Sequence, residues 1–320
     1  NVSDRLKAGF DSSVNMYTAL KRGADAWRGK GGALMMPWLN VPRSAINTPV
    51  DGARRFVAQS WPLERIRAVG KALGGTFNDA VLAMCAGALR LYLQNHGELP
   101  AQSLKAMVPV SLRLAGDVES SNAVGAISAD LATNVKDAAK RFAAIQASMH
   151  AGKALYAGMS ASEAQLFMQL IQTPGLLLMP LGLTSRFPPY STVISNVPGP
   201  RQPMYWNGAQ LNGIYPASIV TEGVALNITL VTYDKNVDFG IIACRRTMPQ
   251  VQRLIDYMEQ SLCELEDAGG LSSRPAKHKA TPSAKTKSKA KAKPKAKPKA
   301  KPKTKPKTKV KETARRRGSS

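Results

Sequence analysis

Residues 223–247 read GVALNITLVTYDKNVDFGIIACRRT. Two runs with alternating apolar and β-branched residues flank Asp234-Lys235-Asn236, the pattern of a hairpin whose turn reverses the chain. Such a hairpin needs a sheet around it, and the rest of the chain supplies candidate strands. STVISNVPGP (191–200) is a β-branched run ended by Pro198-Gly199-Pro200, so its hydrogen-bond ladder is expected to stop at Val197. AQLNGIYPASIV (209–220), KAMVPVSLR (105–113), AVGAISADLAT (123–133) and RRFVAQSW (54–61) are read as further strands.

Helical patterns interrupt these strands irregularly. Pro62 suits a first helical turn, apolar residues follow at 63, 66, 69 and 73, and Gly74-Gly75 ends the pattern. Thr76 is positioned to cap the next helix, which runs to about Asn95 with an interior, AVLAMCAGALRLYL, apolar enough to be buried on most sides. A helix over 135–150 carries Ala139, Phe142, Ile145 and Met149 as its inner stripe, and Pro249 opens an amphipathic helix to about Glu266. The chain opens in a helix from Ser3 to Trp27, followed by a loop rich in Pro and Asn over 31–51. Strands grouped with helices packed to one side indicate an α/β fold, an α+β mixed sheet with flanking helices.

With 320 residues and 44% hydrophobic content, the chain has the material for a sizeable core. Its formal charge of +24 is unevenly distributed: residues 274–320 hold 20 of the 45 Lys+Arg and one of the 21 acids, leaving 25 bases and 20 acids elsewhere. Cys85, Cys244 and Cys263 are odd in number and lack CxxC spacing, so no disulfide framework or metal site is implied, and a reducing setting is expected. Residues 159–183 form the most apolar stretch, but Glu163, the glutamines and Pro174-Gly175 are expected to break it short of a membrane-spanning helix. A first residue Asn1, already inside a helical pattern, is read as a sequence that lacks its natural beginning.

PLERIRAVGKALGGTFNDAVLA (62–83), MVPVSLR (107–113), ISNVPGP (194–200) and LNITLVTYD (226–234) occur here in an order and spacing that resembles the C-terminal half of the bacterial wax ester synthase/diacylglycerol acyltransferase family, over roughly residues 40–266. The resemblance implies a CoA-dependent acyltransferase-like half, from a fold of two similar halves with the active-site channel between them. It implies a chemistry in which acyl-CoA, a substrate and not a bound cofactor, esterifies diacylglycerol or a long-chain fatty alcohol. That chemistry needs a general base to take the hydroxyl proton. The family supplies a histidine in an HHxxxDG motif, and no HH occurs in this sequence, so no catalytic residue is assigned. His96, His150 and His278 are read as non-catalytic, and Asp51-Gly52 has Ile46 and Asn47 where the two histidines would fall.

Four residues are candidates for substrate binding. Asn78 and Asp79 fall in the first turn of a helix, where both side chains can bond free backbone N–H groups; the resemblance implies instead a place beside the channel. Ser195 and Asn196 stand at the tip of a strand that the Pro-Gly-Pro turn prevents from running on; an ordinary strand end is the plain alternative, while the resemblance implies that this strand faces the channel. Residues 33–39, ALMMPWL, and 166–183 are read either as core or as the border of an acyl tunnel or membrane contact.

The tail KAKPKAKPKAKPKTKPKTK, with proline at nearly every fourth place, is expected to be extended and disordered and to bind polyanions without sequence specificity: anionic lipid at a membrane surface or lipid inclusion, or nucleic acid. The expected organisation is a linker helix and loop (1–50), an acyltransferase C-terminal domain (51–268) and a basic tail (269–320). The expected function is the C-terminal part of an O-acyltransferase for triacylglycerol or wax ester synthesis, cytoplasmic and peripheral at the inner membrane or lipid inclusions. The alternative is a non-catalytic lipid-binding half-domain tethered by its tail.

Overall fold

The computed structural model describes residues 2–111 and 124–271. One compact unit spans Asn1–Ser273. The basic tail, His278, and Leu112 and Arg113 of the MVPVSLR stretch lie outside the described residues.

In chain order the elements are α1 (Val2–Trp27), a short 3-10 turn (Ala45–Asn47), β1 (Arg54–Pro62), α2 (Leu63–Ala72), α3 (Phe77–Asn95), β2 (Lys105–Ser111) and β3 (Val124–Asp130). There follow α4 (Ala138–Leu155), α5 (Ala161–Leu178), β4 (Thr192–Pro198), β5 (Tyr205–Trp206), β6 (Ala209–Gln210), β7 (Leu226–Tyr233), β8 (Asn236–Cys244) and α6 (Arg253–Ala268). Six strands form one mixed sheet in the order β1-β8-β7-β4-β2-β3. The β7–β8 hairpin pairs Tyr233 with Asn236 across Asp234-Lys235, and Asp234 takes the positive φ of 49° that such a tight turn asks for. Strand β4 is parallel to both its neighbours, β2 and β7, whereas β1, β3 and β8 pair antiparallel. The expected α/β class with helices flanking a mixed sheet is the observed one.

Helix α3 passes through the middle of the core. Its buried face includes Val81, Leu82, Met84, Leu89 and Leu93, and it packs against α2, α4 and α6. Ala19, Met36 and Ile46, from the segment before β1, belong to the same apolar cluster. Among the described residues no single helix is long and apolar enough to cross a membrane.

Four local expectations need correction. Strand β1 continues through Pro62, which leaves Leu63 to open α2. Helix α4 starts later than the 135–150 pattern because Asp137 caps it, accepting from Lys140 N at 2.8 Å, and it runs on to Leu155. Its inner stripe holds Phe142, Ile145 and Met149 as expected, but Ala139 is exposed and Arg141 is buried instead. Helix α5 runs straight through Pro174, which has no N–H to donate; Trp38 gives its indole N–H to Ile171 O at 2.9 Å and lies against Gly175, bracing the weakened turn.

The stretch 209–220 is the fourth. Only Ala209–Gln210 is strand, in a two-stranded hairpin with Tyr205–Trp206. Ile214 spends its N–H on the carboxylate of Asp238, 2.7 Å away, instead of on a neighbouring strand. Asp238 is fully buried and also accepts from the Ser60 hydroxyl at 2.6 Å, so this side chain draws the segment over the sheet. Gly240 admits it: a Cβ there would sit 1.8 Å from Pro216 O.

Candidate functional site

A cavity of about 300 Å³ opens between the head of α3 and the carboxyl ends of β2, β4 and β7. Its origin is a divergence of strands. β2 and β4 pair only at Ala106–Thr192 and Met107–Val193, although β4 continues alongside β7 to Pro198. Pro109, two residues beyond the last β2–β4 pair, has no N–H with which to extend the ladder, so the strands part and leave Val108 and Val110 facing Ile194 and Asn196 across a gap. Carboxyl ends of parallel strands are where open α/β sheets commonly receive ligands.

Helix α3 supplies the opposite wall. Asn78, Val81 and Leu82 are spaced i, i+3 and i+4 on one helix face and all line the cavity. At the strand side, alternation sends Ile194, Asn196 and Pro198 into it. The walls are chiefly apolar, and at their centre Asn196 Nδ2 donates to Asn78 Oδ1 at 2.8 Å. The second acceptor of this pair, Asn196 Oδ1, is buried with no hydrogen-bond partner among the described residues. Lys153 and Ser111 complete the lining.

The four candidate residues therefore take different places. Asn78 and Asn196, 118 positions apart, are in direct contact. Asp79 turns back to the helix end: its Oδ2 accepts from Thr76 N at 2.8 Å and from Thr76 Oγ1 at 2.7 Å, while its own N–H donates to Thr76 Oγ1 at 3.2 Å. This reciprocal capping box ties down the first turn of α3 and so fixes Asn78. Ser195 is outside the cavity lining; adjacent to Asn196 on β4, it belongs to the other face of the sheet, opposite Thr229. Pro109 is the site-forming residue that sequence reasoning passed over, and a proline inside an apparent strand was the signal.

The strand end itself is shaped by backbone crowding. β4 runs one residue further than expected, to Pro198, whose missing N–H does not prevent it from lying beside Thr232. A Cβ on Gly199 would come within 2.3 Å of Thr232 O, so the turn passes β7 only with glycine at its centre. Gly199 N then donates to Thr232 Oγ1 at 3.3 Å, and Asp234 N to Pro200 O at 3.0 Å.

The remaining candidates lie elsewhere. His96 is at the end of α3, stacked on Tyr92, with Nδ1 2.7 Å from Tyr92 O. Asp51 sits beside Cys244, whose thiol donates to it at 3.3 Å; this bond and the Ala53 N–H, helped by the nearby Arg246 and Arg54, lower its carboxyl pKa against the opposing effect of burial. A separate groove of about 210 Å³ between α1 and α5 is lined by Leu20, Trp27, Met36, Phe167, Leu170 and Ile171, among others, which places the 33–39 and 166–183 stretches together but apart from the asparagine pair.

Comparison with known proteins fits this geometry to a class. Residues 120–266 match the WS/DGAT C-terminal domain, and residues 5–81 match the wax ester synthase/diacylglycerol acyltransferase catalytic domain. A putative diacylglycerol O-acyltransferase of Mycobacterium tuberculosis is 47% identical over 239 residues, covering 74% of this chain and 53% of the relative. The O-acyltransferase WSD of Acinetobacter baylyi is 42% identical over 222 residues, covering 69% of this chain and 48% of that protein. Among solved structures, the wax ester synthase/diacylglycerol acyltransferase of Marinobacter aquaeolei is 42% identical with a TM-score of 0.66, covering 81% of this chain and 57% of that one. The fold is thus acyltransferase-like, a mixed sheet with flanking helices. The chain belongs to the wax ester synthase/diacylglycerol acyltransferase family and spans about half the length of the curated relatives it matches.

Proposed function

We propose that this chain supplies the C-terminal part of an O-acyltransferase that moves a fatty acyl group from acyl-CoA to diacylglycerol or a long-chain alcohol. The observation that carries the reading is the Asn78–Asn196 pair set in an apolar cavity, built from two of the stretches that carry the family resemblance. An apolar wall with one paired donor and acceptor suits a lipid substrate with a single polar reacting group. In the reaction the hydroxyl oxygen bonds to the thioester carbonyl carbon, the carbon–sulfur bond breaks, and the hydroxyl proton passes through a base to the departing thiolate. The chain contains no HHxxxDG, so the base comes from outside this sequence. Asn78 and Asn196 hold substrate, and Asp79 keeps Asn78 in place. Ser195 has no assigned contact with substrate in this arrangement.

Joining an HHxxxDG-containing half from a relative to this chain tests the reading. Acyl transfer is expected from the joined protein and not from this chain alone, and in the joined protein Asn78→Ala lowers turnover more than it lowers stability. A joined, folded protein with no transfer defeats the proposal. The non-catalytic lipid-binding alternative is not favoured, because the relatives are named O-acyltransferases.

We also propose that the protein is cytoplasmic and works at the surface of the inner membrane or of lipid inclusions. Leu176, Leu177, Met179 and Leu181, at and beyond the end of α5, are 67–73% exposed, a cluster of large apolar side chains that suits an interface. The lysine-rich tail adds attraction to anionic lipid or to another polyanion such as nucleic acid, of about 1 kcal/mol for each basic residue near a charged membrane. Deleting 274–320 is expected to reduce co-sedimentation with anionic vesicles at low salt and leave turnover on soluble substrate unchanged.

A further inference from the structure

Two segments of the chain carry no acid: no Asp or Glu occurs between Asp25 and Asp51 or between Glu163 and Glu222. They meet at a pocket of about 430 Å³, lined by Arg43, Ser44 and Thr48 from the first and by Ser185 and Arg186 from the second. Both arginines are exposed, and neither forms an ion pair among the described residues. The frame beneath them is fixed. Asn47, 6% exposed, donates from Nδ2 to Tyr190 O at 3.0 Å and to Gly223 O at 2.8 Å, which clamps the 3-10 turn to the segment before β4. Gly223, at φ 79°, lets Thr184 and Ser185 pass close by; a Cβ there would sit 2.5 Å from Thr184 O. Glu222 spends its carboxylate on Val50 N at 3.2 Å and is not part of the lining. The Ser44 and Thr48 hydroxyls are given to Asn47 Oδ1 and Ala45 O, so the donors left for a ligand are the two guanidinium groups and the Ser185 hydroxyl. The second segment joins this pocket to the exposed apolar cluster. Gly182 N donates to Met179 O, Leu183 N to Leu178 O, and Arg186 N and Phe187 N to Leu183 O, all at 2.9–3.0 Å, so 178–187 is a run of consecutive turns. Leu177, Met179, Leu181 and Phe187 on it are 50–69% exposed, and the Arg186 guanidinium lies 5.9 Å from the centre of the Phe187 ring.

We infer that this pocket binds the phosphate of a lipid headgroup while the apolar turn beside it enters the acyl layer. Guanidinium forks match phosphate oxygens bidentately, and the Ser185 hydroxyl donates one bond more. At a lipid surface the phosphates lie directly above the acyl chains, and here two arginines stand directly beside large exposed apolar side chains. Segments without acids suit such a surface, since a carboxylate there would meet the lipid phosphates with like charge. A nucleic acid offers phosphate but no apolar phase for the leucines, so it fits half of the arrangement. The pocket differs from the lysine-rich tail in what it can select: the tail attracts any polyanion by charge, whereas a pocket with placed donors prefers one headgroup over another of equal charge. The inference rests on the proposed interfacial reading and adds to it a headgroup class and the residues that hold it.

The test uses the full 320-residue chain, co-sedimented with phosphatidylcholine vesicles that contain either phosphatidic acid or, at matched surface potential, oleate. Salt of about 0.3 M limits the contribution of the tail. The parent protein is expected to bind the phosphatidic acid vesicles about tenfold more tightly. Arg43→Gln with Arg186→Gln should abolish that preference, while Lys295→Gln with Lys297→Gln, which removes as much charge from the tail, should keep it. Equal binding of the parent to both vesicles overturns the inference, as does a preference that survives the arginine changes. A preference lost equally in the tail variant also overturns it and gives headgroup selection to the tail. Thermal melts check folding; if the arginine variant melts early, Ser185→Asp places a carboxylate in the pocket and should abolish the preference instead. Without vesicles, a melting temperature that CoA or inorganic phosphate raises in the parent but not in the arginine variant overturns the lipid assignment and gives the pocket to a soluble phosphate. Leu177→Ser with Met179→Ser separates this inference from the interfacial reading, for it should weaken binding to both vesicles and keep their ratio. Unchanged binding by that variant defeats the interfacial reading and the apolar half of the inference with it; equal binding to the two vesicles by the parent defeats only the phosphate pocket.

Discussion

Two hollows of this unit share a largely apolar lining. The cavity at the strand ends has an asparagine pair at its centre and is framed by α3 and three strands, whereas the groove between α1 and α5 is walled by aliphatic and aromatic side chains. An apolar wall discriminates by size and shape, where each methylene is worth only about 1–3 kcal/mol. A buried amide pair discriminates by whether its hydrogen bonds are completed, which penalises a wrong ligand more than it rewards a right one. The first hollow thus carries a polar contact among its walls, whereas the side chains named in the second offer chiefly shape.

The largest effect that would sharpen this contrast is in the groove. Phe167 is fully buried and meets Tyr156 edge-on at 5.9 Å between ring centroids, so Phe167→Ala should cost about 3–5 kcal/mol in chemical denaturation. Turnover of the protein joined to an HHxxxDG-containing half should survive that change if the protein still folds; its loss would mean that the two hollows are not separate. Next comes the division of labour at the head of α3. Asp79→Ala removes a capping box and should cost about 1–2 kcal/mol, while Asn78→Ala should cost under about 1 kcal/mol and mainly lower turnover in the joined protein. The reverse order of stabilities would make Asn78 the structural residue.

A smaller effect concerns the outer face of α6. Glu259 accepts from Trp61 Nε1 at 2.8 Å and pairs with Arg65 at 2.7 Å. Burial alone would raise its carboxyl pKa, but these bonds outweigh it and the net shift is downward from 4.5. A depressed folded pKa contributes stability above the ordinary value that is lost as pH falls through the folded one. Melting temperature should therefore drop below pH 4.5 more steeply in the parent protein than in Glu259→Gln, and parallel curves would show that the cluster contributes nothing. The carboxylate is partly exposed, so the difference should be modest and should shrink in salt. Smallest in stability is the exposed patch: Leu177→Ser with Met179→Ser should change stability by no more than about 0.5 kcal/mol per site, yet reduce vesicle binding. Unchanged vesicle binding would remove the patch from the proposed interface.

Much of the architecture was legible because it depends on short-range pattern. Alternation marked β1, β2, β3, β7 and β8, the apolar run marked α3, and Thr76 marked its first turn. Expectations failed where a distant side chain outbid the local pattern: Asp238 drew Ile214 out of a strand, and Trp38 braced α5 through Pro174. The two neighbouring pairs of candidate residues were legible as pairs but not as members with separate tasks. Helix phase sets Asp79 on the cap and Asn78 on the cavity, and strand alternation parts Ser195 from Asn196.

By itself, then, the sequence determined which residue types stand at the head of a buried helix and at the tip of a proline-stopped strand, because propensity, capping and turn chemistry act over a few residues. Only the tertiary structure decided that Asn78 and Asn196 meet, since a contact across 118 positions depends on strand order, on the parallel pairing of β4 with β2 and β7, and on the gap that Pro109 leaves between β2 and β4. The buried Asn196 Oδ1, without a hydrogen-bond partner among the described residues, belongs to that second category: a hydrogen bond left unmade is a property of packing, which no single segment of the chain encodes.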